Sequence, residues 1–202
     1  MATIINASTS VSSLNLTGDT SGILQLQSNG TTQQTIDSTG SYGQLKSGTA
    51  VASTSGTSID FTSIPSWVKR ITVNLSGVST NGTSVVLFQL GISSGVTTSG
   101  YLGSSSTILD TATGAANYTI GFGSGKDNSA ANLKHGCMVF NLLNSASNLW
   151  ACFGVVGASN EARVNHTGGT VSLSGTLDRV RITTVNGTDT FDAGSINILY
   201  EG

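Results

Sequence analysis

Residues 121–127 read GFGSGKD, a glycine-rich stretch that resembles a phosphate-binding loop at first sight. Such a loop needs a glycine five positions before its Gly-Lys pair and a hydroxyl residue after the lysine, between a strand and a helix. This chain has Ile120 and Asp127 at those two positions, and the helix is missing. We therefore interpret 121–127 as a glycine-rich connection, and we predict no cofactor.

A second set of reactive residues has the chemistry of zinc ligands: His135, Cys137, Cys152 and His166. Zinc ligands normally come in pairs of cysteines or of histidines a few residues apart, so that two side chains share one turn. The chain has neither spacing, and we predict no metal site. His135 is expected in a loop and His166 in a turn.

The two cysteines lie in apolar runs, GCMVF and LWACFGVV, which favour buried free thiols over a disulfide. If these runs form a hairpin around residues 144–148, Cys152 is expected opposite Val139. That register would put Cys152 about two positions away from the partner of Cys137.

Hydrolytic chemistry finds little support in the residue pattern. Residues 91–95, GISSG, match the G-x-S-x-G motif, but β-branched residues follow at 96–98 where a nucleophile elbow needs a helix. Glycoside hydrolysis needs paired carboxylates on facing elements. The only glutamates are Glu161 and Glu201, and aspartates such as Asp178 lie at strand ends or turns. We predict no catalytic residues and a chain that is not an enzyme.

Three aromatic residues, Trp67, Tyr101 and Tyr118, lie next to turn-like sequence. They could form a platform on which sugar rings stack, which would indicate a glycan-binding site. The alternative, which we favour, is that each aromatic residue covers one end of a hydrophobic core.

Composition restricts the class of protein. Charged residues make up 9% of the 202 positions and the formal net charge is −2, while 26 glycines accompany many Ser, Thr and Asn residues. Without a positive excess, nucleic-acid binding is not expected. No apolar run is long enough to cross a membrane, and the first residues, MATIINASTS, lack the pattern of a signal peptide. We expect synthesis in the host cytoplasm and no membrane partner.

Alternation of apolar with polar residues indicates β-strands along most of the chain, and residues 124–136 are expected to form a loop. The fold class predicted is all-β, an antiparallel β-sandwich or jelly roll with an extended N-terminal arm. The predicted strands are 58–61, 68–75, 84–92, 106–110, 117–123, 137–143, 149–157, 170–175, 177–185 and 195–201.

Asn-Gly recurs at 29–30, 81–82 and 186–187, each time between strand-like runs. This dipeptide readily adopts the two positive φ angles of a type I′ turn, whose twist matches that of paired strands. We therefore expect β-hairpins at these positions.

Large apolar residues are sparse before residue 45, so we predict an arm at 1–45 and a β-sandwich domain at 46–202. Residues 24–40, LQLQSNGTTQQTIDSTG, have the pattern of a hairpin whose apolar face is too thin to be stable alone. We expect that face to be buried by sister copies and by a further partner; the alternative is an edge hairpin on the chain's own sandwich. The predicted arm contacts are Ile4, Ile5, Leu14, Leu16, Ile23, Leu24, Leu26 and Ile36.

Two stretches, IDFTSIPSWVKRITVNLSGVSTNGTS (59–84) and GGTVSLSGTLDRVRITTVNGTDTFDAGSINILYEG (168–202), resemble a recurring module of tailed-bacteriophage virion proteins. Residues 22–40 resemble N-terminal segments of phage fibre and decoration proteins. The resemblance implies a β-sandwich that assembles as a homotrimer and attaches to the particle through its N-terminal segment.

The function expected is therefore that of a non-enzymatic virion structural protein, exposed on the particle surface. Its partners would be two further copies of itself and the major capsid protein or another virion protein. The preferred form is a capsid decoration (cement) protein that stabilises the shell. The alternative is a tail-fibre or receptor-binding module that recognises host surface glycans.

Overall fold

The computed structural model describes residues 24–28, 31–37, 40–41, 45–110 and 112–202. The chain divides into two compact units, Met1–Gln44 and Leu45–Gly202, which are described separately. Every regular element among the described residues is a β-strand, so the predicted all-β class is confirmed. Within these ranges there is no helix that could span a membrane.

The first unit contains a β-hairpin followed by a short third strand. Strands β1 (Leu24–Ser28) and β2 (Thr31–Asp37) pair antiparallel, and β3 (Gly40–Ser41) pairs with β2 in the same sheet. Leu24 lies opposite Ile36 in the ladder. The hairpin predicted for this segment is confirmed.

The second unit is an antiparallel β-sandwich, as predicted. Among its described residues, one sheet has nine strands, in the order β11-β10-β15-β14-β13-β7-β17-β4 with β5 also on β17. The other has five strands, in the order β12-β8-β16-β6 with β9 also on β8. The strands are β4 (Leu45–Ser47), β5 (Val51–Ala52), β6 (Ile59–Phe61), β7 (Arg70–Thr80), β8 (Val86–Ile92), β9 (Gly95–Val96), β10 (Leu102–Leu109), β11 (Thr113–Tyr118), β12 (Phe122–Gly123), β13 (Lys134–Asn144), β14 (Leu149–Ala158), β15 (Arg163–Ser172), β16 (Arg179–Thr184) and β17 (Phe191–Glu201).

Most predicted strands are confirmed, but two are corrected: 117–123, and 170–175, of which only the first residues are strand, as the end of the longer β15 (Arg163–Ser172). The continuously apolar run 84–92 forms β8, in which both sides are covered. The single strand predicted at 117–123 is instead the end of β11 and the short β12, because residues 119–121 leave one sheet and enter the other. The loop predicted at 124–136 ends earlier, at residue 133, because β13 begins at Lys134.

The hydrophobic core lies between the two sheets. The Phe140 ring, on the larger sheet, packs 6.4 Å from the Phe88 ring and 5.9 Å from the Phe122 ring, centroid to centroid, and both partners belong to the smaller sheet. The Tyr101 ring meets Phe122 edge-on at 4.9 Å. These aromatic contacts join the sheets at the centre of the sandwich.

The Asn-Gly pairs at 81–82 and 186–187 do not form the predicted hairpins. Each lies between strands of different sheets, β7 to β8 and β16 to β17. Neither Asn81 nor Asn186 has a positive φ angle, so the type I′ conformation is absent at both of these described positions. Instead the Asn186 side chain accepts a hydrogen bond from the Asp189 backbone N–H (3.2 Å), and the Asp189 carboxylate occupies the space where a Gly82 Cβ would lie. The third pair, 29–30, lies outside the described residues.

The hairpin predicted around 144–148 is confirmed, but its register is one residue from the prediction. Cys152 lies opposite Phe140 rather than Val139, and Cys137 lies opposite Val155. The cause is a bulge near the turn, between Leu142 and Asn144, which shifts the strands past each other. Both thiols are free, as predicted; Cys152 is buried as expected, whereas Cys137 is only partly buried because it lies on the outward side of β13.

A matched pair of isoleucines tests the position of the core. Ile182 is fully buried and Ile120 is partly exposed. We expect Ile182→Ala to lower the free energy of unfolding by about 2–5 kcal/mol, because it leaves a cavity. Ile120→Ala should cost less than about 1 kcal/mol. Urea unfolding followed by tryptophan fluorescence measures both, and equal losses would contradict this core.

Candidate interaction surface

Strands β10 and β15 have the reverse of the usual pattern, with polar side chains buried and apolar side chains exposed. On β10 the buried residues include Ser105 and Thr107, while Leu102 is 76% exposed. On β15, Asn165 is buried, whereas Val164 is exposed. Burying polar groups while exposing large apolar ones is unfavourable for an isolated sandwich, so this region of the larger sheet needs an explanation.

The buried polar side chains bond the end of β12 and the loop that follows it. Ser105 and Thr167 both donate a hydrogen bond to the Gly123 carbonyl, each at 2.6 Å. Thr107 donates to the Asn165 amide oxygen at 2.8 Å and accepts from the Lys126 backbone N–H at 2.8 Å. The loop after β12 therefore replaces the missing part of the smaller sheet, and its backbone requires hydroxyl and amide partners below it.

The opposite side of the same strands is a broad surface on which apolar side chains are mixed with Ser, Thr, Asn and His, and we call it the outer face. It consists of the outward side chains of β11, β10, β15, β14 and β13, and Val155 lies near its centre, 47% exposed. Among these described outward positions there is no Asp, Glu, Lys or Arg. Its large exposed apolar residues are Leu102, Ile108, Phe153, Val155 and Val164.

The outer face has a projection and a hollow next to each other. Phe153, 52% exposed, stands on β14, and its partner on β15 is Gly168, which has no side chain. Beside Gly168 is a hollow of about 360 Å³, whose rim includes Leu102, Ser104 and Asn117. The outer face is therefore not flat: it has a projecting aromatic side chain next to an open hollow.

A cluster of buried charges lies at one end of the sandwich. Lys134 is fully buried and donates a hydrogen bond to the Asn128 side-chain oxygen. Arg163 is also buried and pairs with the carboxylates of Asp127 and Glu161. Burial lowers the pKa of Lys134 to about 8, and the positive charge of Arg163 acts in the same direction. Burial alone would lower the pKa of Arg163, but its hydrogen bonds to Glu161 and Asp127 raise it.

Of the predicted arm contacts, the structure describes only part. Ile4, Ile5, Leu14, Leu16 and Ile23 lie outside the described residues, so their role stays a prediction. Leu24, Leu26 and Ile36 lie in the β1–β2 hairpin, where Leu26 is partly exposed.

The structure contradicts the exposed placement that sugar stacking requires for Tyr101 and Tyr118. Both rings are buried, and their hydroxyls are bonded: Tyr101 donates to the Thr97 carbonyl (3.1 Å) and Tyr118 to the Gly125 carbonyl (2.6 Å). Both line the hollow from below. Trp67 lies elsewhere, edge-on to Tyr200 at 6.1 Å. The three residues do not form one platform.

The four residues with zinc-binding chemistry do not converge. Cys137 and His166 point outward from the larger sheet, whereas Cys152 points into the core. His135 lies on β13 rather than in the predicted loop, and His166 lies on β15 rather than in a turn. Across the described ranges there is no group of three or more His, Cys, Asp or Glu residues that could hold a metal ion.

A second surface feature is a groove of about 310 Å³ on the outside of the smaller sheet. Its wall includes Arg181, whose guanidinium donates two hydrogen bonds to the Asp60 carboxylate, at 2.7 and 2.8 Å. These bonds raise the pKa of Arg181 and hold its charge against an acidic partner of the same chain. The guanidinium of Arg181 is therefore already paired with a carboxylate, and this makes it a poor binding group for an anion that enters the groove.

Sequence reasoning missed the outer face. The available signal was the parity of β10, in which Leu102 and Ile108 alternate with Ser105 and Thr107. Parity alone does not reveal which side faces the core. That choice depends on the loop at 123–126, which bonds the hydroxyl side.

Comparison with models of known protein families, with characterised proteins and with solved structures found no match to this chain.

The Lys134 cluster predicts a specific pH dependence of stability. The pKa of Lys134 falls from 10.5 to about 8 on folding, so between these values the unfolded chain holds a proton that the folded chain has lost. The free energy of unfolding should therefore rise with pH across this window. The penalty is fully present below pH 8 and amounts to on the order of 3 kcal/mol.

Lys134→Met removes this titration, so it is the variant to compare with the original protein. We expect the Met variant to lose its relative advantage as the pH rises from 7 to about 10. Burial also raises the pKa of Cys152, which acts in the opposite direction at high pH, but that contribution is common to both proteins and cancels. Parallel stability curves, measured by urea unfolding at several pH values, would refute the prediction.

Proposed function

We propose that this protein is a structural component of a tailed-bacteriophage virion, a homotrimeric decoration protein that binds the major capsid protein and stabilises the shell. The observation that carries the proposal is the position of the two phage-like stretches in the fold. Residues 59–84 contain β6 and β7, and residues 168–202 contain β16 and β17. In the sandwich β6 pairs with β16 and β7 pairs with β17, so strands of the two stretches lie side by side in both sheets.

The exposed outer face supports a function that depends on association with other protein subunits. An apolar patch of this kind on a soluble domain usually marks a site of protein association. A decoration protein needs no reactive side chain, because its effect is the sum of several contacts that reinforce one another when copies are linked. The low content of charged residues, 9%, is in keeping with a surface largely buried in an assembly.

The N-terminal unit is the proposed attachment to the particle. Its hairpin has few large apolar residues, and Leu26 is partly exposed. A small sheet of this kind gains stability when a partner covers its apolar side. In the assembled particle, we propose, coat subunits and sister arms supply that cover.

Copy number per purified particle tests the location. A decoration protein should be present in numbers comparable to the coat protein, measured by quantitative mass spectrometry of particle proteins. Only a few copies per particle would contradict shell decoration and would favour the tail or a fibre. Absence from the particle would overturn the virion assignment.

The N-terminal unit gives a separate prediction. Because Leu45 pairs with Glu201 in the sandwich, a deletion should end at residue 44 and leave β4 intact. We expect the protein lacking residues 1–44 to show the same β-type circular dichroism but to lose binding to empty shells, by at least about tenfold in affinity. Co-sedimentation with shells measures this effect. Undiminished binding would show that the attachment lies in the sandwich.

A further inference from the structure

We propose that the outer face is the contact surface between copies of this chain, with Phe153 of one copy entering the hollow beside Gly168 of another. The inference rests on the self-association in the proposed function and adds where the copies touch. It commits to a second copy of the chain as the occupant of this face.

Charge is the first argument for a second copy. A surface that meets itself must not place like charges against each other. The outer face meets this condition at neutral pH, since its described outward positions include no Asp, Glu, Lys or Arg, and its two histidines, His135 and His166, are of a type that is mostly uncharged there. The cores of protein interfaces are likewise depleted in charged residues and enriched in aromatic ones. Phe153 and Val155 supply such a core.

Area is the second argument. With strands about 4.8 Å apart and residues rising about 3.4 Å, the strands of the outer face present on the order of 500 Å². The uncharged side chains of Thr72 and Asn74 on β7, with Asn197 and Leu199 on β17, continue this surface and extend it to on the order of 700 Å². A stable interface buries about 800 Å² on each partner, so the face is large enough to supply most of one.

Shape is the third argument. A projecting aromatic side chain and an open hollow lie on neighbouring strands of the same molecule. Phe153 is half exposed and is not among the residues that line the hollow of its own copy. A second copy brings its own Phe153, and one hollow can then receive the projection of the other. Aromatic residues that enter partner pockets commonly carry most of the binding energy of an interface.

The test places a charge in the centre of the face and an equal charge elsewhere. Val155→Glu is the test variant, and Val185→Glu is the matched control, because Val185 is 39% exposed and lies outside the outer face. Light scattering after size exclusion gives the mass of each protein against the 20.5 kDa chain. We expect an oligomer for the original protein and the control, and a single chain for Val155→Glu.

The free thiols provide a second readout that needs no variant. Cys137 lies on the outer face opposite Val155, and Cys152 is buried in the core with its pKa raised by burial. We expect Cys137 to react with a maleimide at least about tenfold more slowly in the oligomer than after dilution to single chains, while Cys152 stays unreactive in both. Peptide mass spectrometry identifies which thiol is modified.

The outcomes separate this inference from the proposed function. A single chain at all concentrations, or an oligomer in which Cys137 reacts freely, overturns the inference. A dimer with Cys137 protected supports the contact surface and contradicts the homotrimer. A trimer with Cys137 protected that is absent from particles supports the surface and overturns the virion role.

Discussion

The hydrogen bonds at the Gly123 carbonyl are the constraint on which the rest of the sandwich depends. The smaller sheet ends at β12, and the loop that follows must cover the remainder of the larger sheet. Because the last carbonyl of β12 and the loop backbone need partners, the strands below present Ser105 and Thr167 to the first and Thr107 to the second. The inner side of β10 and β15 is therefore polar. The core does not explain why apolar residues occupy their outward positions.

The same loop explains the charged cluster. Asp127 and Asn128 follow the glycine-rich connection, and they meet Arg163 and Lys134 at the end of the larger sheet. A buried lysine is costly unless its charge is compensated, and here the carboxylates of Asp127 and Glu161 oppose the effects of burial and of Arg163. The cluster thus holds the loop against the sheet, and its cost in stability is highest where the lysine is fully protonated.

Sequence reasoning identified the strands because hydrophobic alternation is a local property. The pattern of 68–75 and the apolar run of 84–92 predicted β7 and β8 correctly. The sequence pattern did not predict which strands pair when the partners are distant in the chain. Asn81-Gly82 and Asn186-Gly187 have the residues of a hairpin turn, yet they connect strands of different sheets. A dipeptide constrains its own φ angles and carries no information on which strand the chain pairs with next. The outer face was not predicted for the same reason: which side of β10 and β15 faces the core depends on their contacts with residues 123–126.

The sandwich brings residues 59–84 and 168–202 together, although they are distant in the chain. They supply β6, β7, β16 and β17; β6 pairs with β16 in the smaller sheet, and β7 pairs with β17 in the larger one. Residues between them supply β8 to β14 and the first half of β15, which carry the loop, the charged cluster and most of the outer face. Among the described residues, the two parts are joined by the ladders β7–β13 and β8–β16 and by residues 168–172 of β15, which pair with β14 and β10. Because these ladders bond backbone to backbone, the pairing of β6 with β16 and of β7 with β17 does not require the outward side chains of the middle part.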